Sequence, residues 1–448
     1  MAHQDKIKPF SKGFSPDDDI FGREEFYEKI MRVVQNAPED NLVLALDDNW
    51  GNGKTTFVEM MKSQIEIDHH EKHNVIYFDA FESDYQTDPF ISLTAQIYSM
   101  IEQEGGKLKS YCNKFLEASK KVGATLLTNG LKVAINASTA GLVDSNIIEK
   151  TGKEIIQKAT DSAEAYIVKK ITTAAEEKKD IDHFRETLSK MHAETGKSTI
   201  FIIDELDRAR PDFSLDLIEK VKHLFSVKGV VFILVMNRIQ FEKSIEKRYG
   251  NIDSRTYLNK FVNYWLTLPK TRFHSITQEG QHSSTTINNF LLKINKKHKL
   301  FSRRSSFLST LSFLLDINDC SLREAERCYA LLKILTGSDS VDEYDTPYQV
   351  PLAIVIFLKV HDPYLLDNFL ARIVSKADLY TKLKLNIQGF SDAPICNVIK
   401  NFINYHYLTP NELKTSETHQ AYPDYIAYGR QQQPFVEFYQ NVQGLSLQ

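Results

Sequence analysis

The sequence predicts an α/β fold in which helices flank a parallel β-sheet. Three apolar runs, at 42–46, 199–203 and 230–236, indicate buried strands. Each run is followed by polar residues and then by apolar side chains at helical spacing. Strands that alternate with helices in this way form parallel sheets, whose carboxyl ends meet at one edge.

Length and composition are those of a globular chain. With 448 residues, two domains or one domain with large additions are expected. The net charge of −4 gives no reason to expect a nucleic acid or a membrane surface as partner. Four scattered cysteines form no C-x-x-C pair, which argues against zinc and against a disulfide framework. The N-terminus lacks the apolar core of a signal peptide, so the chain is expected in the cytoplasm.

The first strand leads into a turn, residues 48–56, that has the pattern of a phosphate-binding loop. Gly51 and Gly53 permit a tight turn whose backbone N–H groups face phosphate oxygens, and the helix that starts there adds a favourable dipole. Lys54 is placed to reach the β- and γ-phosphates, and the Thr55 hydroxyl to bind Mg²⁺. The predicted nucleotide contacts of the turn are Gly51, Asn52, Gly53, Lys54, Thr55 and Thr56.

One position departs from the pattern G-x-x-x-x-G-K-[ST], because Asp48 stands where glycine is expected. A carboxylate there repels a triphosphate unless it points outward or caps the turn. The alternative interpretation of the segment is an ordinary strand–turn–helix that binds nothing.

Ahead of the turn, Ile20 and Phe21 form a short apolar segment before Gly22 and Arg23. In many P-loop ATPases such a segment packs against the adenine base, so Ile20 and Phe21 are candidate nucleotide contacts. The alternative of about equal weight is a loop that enters the next helix with Phe21 in the core.

Beyond the turn, residues 75–81 predict a second buried strand, and Asp88-Pro89 predicts the start of a helix. Residues 105–196 show no clear strand and predict two or three inserted helices. Their most apolar part, Val122–Val143, is interrupted by Lys132 and other polar residues. This favours an amphipathic helix packed on protein over a membrane span, with a surface-lying membrane or partner helix as the other interpretation.

The run at 199–203 delivers two acids, Asp204 and Glu205, to the phosphate end of the sheet. Asp204 is placed to hold Mg²⁺, mostly through water, and Glu205 to orient or deprotonate the attacking water. Asp207 and Arg208 fit a structural ion pair instead.

Asn237 follows the strand at 230–236 and is a candidate sensor of the γ-phosphate or the lytic water, with a loop cap as the alternative. Residues 257–266 place apolar side chains on one helix face, and Leu268-Pro269 ends that helix. Residues 272–286 are polar and indicate a loop or domain boundary. From 287 onward the pattern is helical.

In the helical part, Arg323 opens a helix and is a candidate contact to the nucleotide. A basic cluster lies there too, which either tracks a phosphate backbone or is a solvated helix end. Its members are Lys293, Lys296, Lys297, Lys299, Arg303 and Arg304.

Together these segments resemble the KAP family of P-loop NTPases, part of the signal-transduction ATPases with numerous domains. Residues 50–55 match its Trp-containing P-loop, and 204–208 match its Asp-Asp-Leu-Asp-Arg box with Glu205 for the second Asp. Residues 78–82 and 257–260 are similar to its Asn-Ala-Trp-containing segment and its Tyr-Leu-Glu-Lys box. A fainter similarity links Ser321–Arg327 to its Pro-Arg-x-x-x-Arg segment.

The resemblance covers residues 16–270 well and implies an ATPase that hydrolyses ATP slowly as a switch. Similar bacterial proteins often serve in anti-phage defence, and several members carry transmembrane helices where the 105–196 insertion lies. The family has Gly at the position of Asp48 and Asp at that of Asn237. These departures bear on the hydrolysis rate more than on nucleotide binding.

The predicted organisation is a lead-in at 1–18, a P-loop NTPase domain at 19–104 and 197–271, a helical insertion at 105–196 and a C-terminal helical domain at 272–448. ATP and Mg²⁺ are the predicted cofactors, and Lys54, Glu205 and Asn237 the predicted catalytic residues. A protein partner or self-association through either helical part is expected, without a membrane span. Two alternatives are a nucleotide-dependent scaffold with little hydrolysis and a nucleic-acid-stimulated ATPase.

Overall fold

The computed structural model describes residues 10–36, 42–86, 88–104, 106–124, 176–271, 285–301, 305–336, 346–409, 411–412 and 434–442. Most of Val122–Val143, as well as Arg303 and Arg304, lies outside these described residues. The chain divides into two compact units. The first unit comprises Met1–Phe14, Glu25–Asp48 and Lys54–Leu268, and the second comprises Ser15–Glu24, Asn49–Gly53 and Pro269–Gln448.

A parallel sheet forms the centre of the first unit. Its strands are Leu42–Asp47 (β1), His73–Asp79 (β2), Ser198–Asp204 (β3), Val230–Met236 (β4) and Tyr264–Thr267 (β5). They lie in the order β2-β3-β4-β1-β5, and every neighbouring pair is parallel. The carboxyl end of β4 therefore lies between those of β1 and β3, which carry the phosphate-binding turn and the two acids.

Helices surround this sheet, as the sequence predicts for the α/β fold. They are Glu24–Gln35 (α1), Lys54–Asp68 (α2), Ala80–Ser83 (α3), Pro89–Glu104 (α4), Gly106–Lys109 (α5), residues 112–124 (α6), residues 176–195 (α7), Pro211–Leu224 (α8), Arg238–Tyr249 (α9) and Ser254–Leu258 (α10). Alternate residues of β1 enter two different hydrophobic clusters, Val43 and Ala45 on one face and Leu44 and Leu46 on the other. Because both faces are covered, the strand is apolar throughout its length.

Two predicted elements differ from those observed. The strand predicted at 75–81 ends at Asp79, because the Asp79 side chain accepts a hydrogen bond from Glu82 N and caps α3. The helix predicted at 257–266 is wrong. Asn263 Oδ1 accepts a hydrogen bond from Val43 N at 2.7 Å, and Asn263 N donates to Val43 O at 2.9 Å. This pairing starts β5 on the open edge of β1, so tertiary pairing overrides the helical spacing.

The regular elements among the described residues of the second unit are helices. They are Thr286–His298 (α11), Ser306–Ile317 (α12), Leu322–Thr336 (α13), Thr346–His361 (α14), Pro363–Leu370 (α15), Lys376–Lys382 (α16), Pro394–Tyr407 (α17) and Pro434–Val442 (α18). Their buried faces share one hydrophobic cluster, with α14 buried from Leu352 to Leu358. The predicted helical character of the C-terminal part is therefore observed in these residues.

Among the residues described, every helix is too short or too polar to cross a bilayer. The apolar segment Val122–Val143 is described only to residue 124, so its predicted amphipathic packing stays a prediction.

Candidate functional site

Lys54 and Thr55 are the first two residues of α2, directly after the glycine-containing turn. Lys54 Nζ donates a hydrogen bond to Asp48 O at 2.6 Å, which folds the side chain back over the turn. Burial lowers the pKa of Lys54. Four nearby carboxylates oppose that shift of the pKa, those of Asp207, Asp48, Asp204 and Asp47. The amine is thus the cationic centre of an acidic strand edge.

The turn residues Asn49–Gly53 belong to the second unit, where they meet the start of α13. Gly51 has φ +80° and Gly53 φ +81°, a backbone region that favours glycine. Gly51 O accepts a hydrogen bond from Arg323 N at 3.2 Å. A Cβ on Gly51 would lie 2.6 Å from Arg323 Cβ, so only glycine permits this close approach.

Asp204 ends β3 inside the protein, with 1% of the residue exposed. Its Oδ2 accepts a hydrogen bond from the Tyr77 hydroxyl at 2.9 Å, and its Oδ1 accepts one from Glu205 N at 2.7 Å. Burial raises the pKa of the Asp204 carboxyl, whereas the hydrogen bonds from Thr55, Glu205 N and Tyr77 lower that pKa. The carboxylate is held in a fixed orientation beside the start of α2.

Glu205 turns sharply away from the strand, with a left-handed φ of 56°. Thr55 Oγ1 donates to Glu205 Oε1 at 3.4 Å, and Arg208 Nε lies 2.7 Å from Glu205 Oε2. Burial raises the pKa of Glu205, and the positive charge of Arg208 lowers it. The sequence predicted an ion pair between Arg208 and Asp207. In the structure, Arg208 pairs with Glu205 instead.

Asn237 follows β4 and caps α9, because its side chain accepts a hydrogen bond from Gln240 N at 3.3 Å. Its backbone N donates to Asp207 Oδ1 at 2.9 Å. The capping role is the alternative that the sequence offered, while the sensor role stays a prediction. Asn237 follows β4, whose carboxyl end lies between those of β1 and β3.

Two further side chains at this edge escaped the sequence analysis. Tyr77 lies on β2 opposite Ile202 of β3, and its hydroxyl reaches Asp204. The guanidinium of Arg238 stacks over the Trp265 ring at 4.1 Å, and Arg238 N donates to Asp47 Oδ1 at 2.9 Å. In the sequence, Tyr77 stands out as a tyrosine in an apolar strand. The strand register is needed to show that its hydroxyl reaches Asp204.

The other predicted nucleotide contacts lie in the first turns of helices or in the turn that precedes α1. Thr56 is half-buried in the first turn of α2, and Arg323 is exposed in the first turn of α13. Phe21 is half-buried, with the Arg23 guanidinium 4.5 Å above its ring and Phe290 at 6.4 Å between ring centroids. Ile20 is half-buried as well. A role for these residues in binding adenine or phosphate stays a prediction.

In the basic cluster, the described lysines lie around the end of α11. Lys293 donates a hydrogen bond to Asp17 O, and Lys299 caps the helix in the left-handed region at φ 56°. Lys296 and Lys297 occupy the last turn, where positive charge stabilises a helix dipole. These observations fit a solvated helix end, and a nucleic-acid role stays a prediction.

The family described as the KAP family P-loop domain matches residues 23–337, well over half of the chain. The chain belongs to the KAP family. The KAP match includes both phosphate motifs and the start of α13, and a P-loop domain is a nucleotide-binding module. No curated protein matches the sequence.

Several solved structures match this KAP protein with low sequence identity and low TM-scores. The ORC2 protein of Aeropyrum pernix, solved as ADPNP–ADP complexes, is 11% identical with a TM-score of 0.37, covering 94% of this chain and 85% of that one. Cdc6p of Pyrobaculum aerophilum is 10% identical with a TM-score of 0.37. The match covers 96% of this chain and 89% of Cdc6p. The replication initiator DnaA bound to AMPPCP and single-stranded DNA is 10% identical with a TM-score of 0.28, covering 93% and 95%. At these TM-scores the likeness carries no argument for this chain.

Proposed function

We propose that this KAP protein is a Mg²⁺-dependent ATPase that works slowly, as a switch. The observation that carries the proposal is the convergence of Lys54, Asp204 and Glu205 at the carboxyl ends of β1 and β3. Burial at that edge makes an amine and two carboxylates act on a bound group more strongly than in water. A role in anti-phage defence is an expectation from the resemblance alone.

The donor set at this edge fits magnesium. Mg²⁺ prefers hard oxygen ligands and keeps several waters. The Thr55 hydroxyl and the Asp204 carboxylate supply such oxygens, and a hydrogen bond joins the two side chains. Four carboxylates around Lys54 give the edge a surplus of negative charge that a cation offsets. The ion, when bound, neutralises charge on the transferred phosphoryl group.

The chain's own side chains divide the remaining work. Lys54 offsets phosphate charge, and the backbone N–H groups of the turn donate to phosphate oxygens. Glu205 orients the attacking water and accepts its proton at a carboxylate oxygen. Asn237, between the two motifs, is the proposed sensor of the γ-phosphate.

A second candidate function is a nucleotide-dependent scaffold with little hydrolysis. Two observations favour it. Asp48 is 6% exposed at the position where the motif has glycine, so a buried carboxylate lies beside the phosphate-binding turn. The proposed base, Glu205, is engaged by Arg208. A chain of this kind binds ATP and recruits a partner through its helical parts.

One experiment decides between binding and no binding. Lys54→Ala is expected to weaken equilibrium binding of ATP with Mg²⁺ at least tenfold, about 1.4 kcal/mol. Lys62→Ala, on the same helix with a partly exposed side chain, is the matched control and should bind as the parent does. Unchanged affinity in a folded Lys54→Ala protein would refute the nucleotide site.

Single-turnover hydrolysis of the parent then separates the switch from the scaffold. It is measured with ATP alone and with DNA, RNA or lipid vesicles added. Hydrolysis supports the switch, and stimulation by DNA or RNA that fades with salt supports the nucleic-acid alternative. Binding without hydrolysis under all conditions supports the scaffold.

A further inference from the structure

Three side chains of the second unit converge on one point near the start of α13 and the end of α14. Cys320 lies two residues before α13, Glu324 is in its first turn, and His361 ends α14. Cys320 Sγ is 3.4 Å from His361 Nδ1, and His361 Nδ1 is 3.0 Å from Glu324 Oε1. The three donor atoms all lie within 4.8 Å of one another. A thiol, an imidazole and a carboxylate thus face a common centre.

These separations are close to those of a tetrahedral zinc site. Bonds of about 2.3 Å to sulfur and about 2.1 Å to nitrogen or oxygen, at tetrahedral angles, place sulfur and nitrogen about 3.6 Å apart and nitrogen and oxygen about 3.4 Å apart. The observed sulfur–nitrogen and nitrogen–oxygen distances, 3.4 Å and 3.0 Å, differ from these values by a few tenths of an ångström. Sulfur and nitrogen donors favour zinc-class ions over Mg²⁺ and Ca²⁺, which take oxygen ligands.

Neighbouring contacts fix the orientation of two of the three ligands. Glu324 Oε2 accepts hydrogen bonds from Ser321 N at 2.9 Å and Ser321 Oγ at 3.0 Å, which directs Oε1 towards His361. The Phe357 ring stacks on the imidazole with 5.0 Å between centroids and 21° between planes. Contacts of this kind orient the ligands of known metal sites.

We propose that Cys320, Glu324 and His361 bind one zinc-class divalent ion through Sγ, Oε1 and Nδ1. Three protein ligands leave a fourth position for water or an outside ligand, and His361 is exposed, so this position faces solvent. Burial raises the pKa of the Cys320 thiol, so the metal-free cysteine carries its proton. Binding forms the metal–sulfur bond and releases that proton to solvent.

An ion at this place ties the start of α13 to the end of α14. The same turn of α13 supplies Arg323 N, which donates to Gly51 O within the second unit. Metal binding is therefore expected to hold the contact of α13 with the glycine turn and to raise the melting temperature. The ordinary alternative is a hydrogen-bonded trio around the His361–Glu324 ion pair that binds no metal.

The first test uses Co²⁺ as a probe for the thiolate ligand. The full chain is stripped with a chelator, kept reduced with a phosphine, and titrated with Co²⁺ alone, without nucleotide. One Co²⁺ per chain with a thiolate-to-cobalt charge-transfer band, displaced by Zn²⁺, is the expected result. A titration that yields no such band overturns the proposal.

Variants assign the site. Cys320→Ser should abolish the cobalt–thiolate band, whereas Cys112→Ser, at a half-buried free cysteine of the first unit, should keep it. Glu324→Gln preserves the capping contacts with Ser321, because glutamine serves that role too. The variant should still weaken Zn²⁺ binding by at least about tenfold. This is the smallest effect expected from the loss of an outer contact at a metal site, and Glu324 is proposed as a direct ligand.

The Glu324→Gln variant keeps the test decisive if Cys320→Ser fails to fold. Zn²⁺ affinity equal to that of the parent in folded Glu324→Gln, or a cobalt–thiolate band that survives in Cys320→Ser, overturns the assignment. The assignment of the site is established if the band is lost in Cys320→Ser but kept in Cys112→Ser, and if Glu324→Gln binds Zn²⁺ more weakly than the parent.

Discussion

Arg208 Nε lies 2.7 Å from Glu205 Oε2, within one loop at the end of β3. The side chains of both residues are mostly buried, with 33% and 20% exposed. The acid proposed to activate water is therefore already engaged by a cation three residues further along the chain. A carboxylate in an ion pair is a weaker base than a free one, because the cation favours its ionised form. In the proposed function the pair would restrain hydrolysis, which fits a slow switch.

The first prediction concerns this restraint. Arg208→Ala removes the charge that lowers the pKa of Glu205 and leaves the burial that raises it. The acid limb of the pH profile of kcat/KM is therefore expected to move to higher pH, and turnover above that limb to rise roughly threefold or more. The measurement is ATP hydrolysis across pH with parent and variant.

Arg210→Ala is the control for that experiment, since Arg210 is exposed and bonds to Asp84 instead of Glu205. Identical pH profiles for Arg208→Ala and the parent would show that the ion pair does not tune Glu205.

The second prediction separates the two acids of the strand end. Glu205→Gln is expected to keep ATP affinity but to lower turnover about a hundredfold or more, the scale of general-base loss. Asp204→Ala is expected to weaken Mg²⁺-dependent ATP binding as well, because the metal acts on the bound triphosphate before the reaction. Equilibrium binding beside single-turnover hydrolysis checks both. Equal hydrolysis by parent and Glu205→Gln would move the role to another acid, with Asp207 the next candidate.

The third prediction concerns Tyr77 as a positioning residue. Tyr77→Phe removes the hydroxyl that donates to Asp204 Oδ2 and leaves the ring in place. The Mg²⁺ concentration for half-maximal ATP binding is expected to rise about tenfold, as when an outer contact of a metal ligand is lost. Binding without Mg²⁺ should change little, which a merely structural role does not predict.

Tyr98→Phe is the matched control for Tyr77, because its hydroxyl donates a similar 2.9 Å hydrogen bond to a carboxylate, that of Glu102, at an exposed position of α4. A shift of equal size in both variants would assign the effect of Tyr77→Phe to general destabilisation.

The fourth prediction is a pH dependence of stability in the second unit. His406 is 1% exposed, and burial lowers its pKa to about 4, with the positive charge of Arg372 acting in the same direction. The unfolded chain has a histidine pKa near 6.5 and therefore binds more protons between these values. Stability is full above about pH 6.5 and is lost as pH falls towards 4.

The expected loss from His406 between pH 7 and pH 5 is about 2 kcal/mol, read from urea unfolding. His406→Gln should flatten the slope in this window, and His70→Gln, at an exposed site, should not. His73 in the first unit also has its pKa lowered by burial, to about 4, so a residual slope is expected. An unchanged slope in His406→Gln would show that the pKa of His406 is the same in the folded and the unfolded chain.

Local patterns predicted most of the sheet and the phosphate-binding turn. The strand at Val230–Met236 is set by a continuous apolar run and the helix from Pro89 by a Pro at a helix start, and both are confirmed. Positions that depend on register escaped prediction. Tyr77 reaches Asp204 only because β2 pairs with β3 in one particular alignment.

The other differences between prediction and structure arise where a segment pairs with a sheet edge or where residues far apart in sequence come together. Residues 257–266 have apolar side chains at a spacing that suits a helix, yet residues 264–267 pair with the free edge of β1 and form β5. Cys320 and His361 are 41 residues apart, so no spacing rule brings the two together. The sequence paired Arg208 with its neighbour Asp207, whereas the structure pairs it with Glu205, a residue with left-handed backbone that the sequence did not predict.

The left-handed backbone at Glu205 also bears on sequence drift. A residue with a Cβ pays about 1–2 kcal/mol to hold φ near 56°, and glycine pays almost nothing. Random substitution filtered only for thermal stability would therefore tend to replace this acid with glycine. If Glu205 activates water as proposed, a lineage that keeps glutamate at position 205 is under selection for that chemistry, and one that loses it gains stability at the expense of turnover.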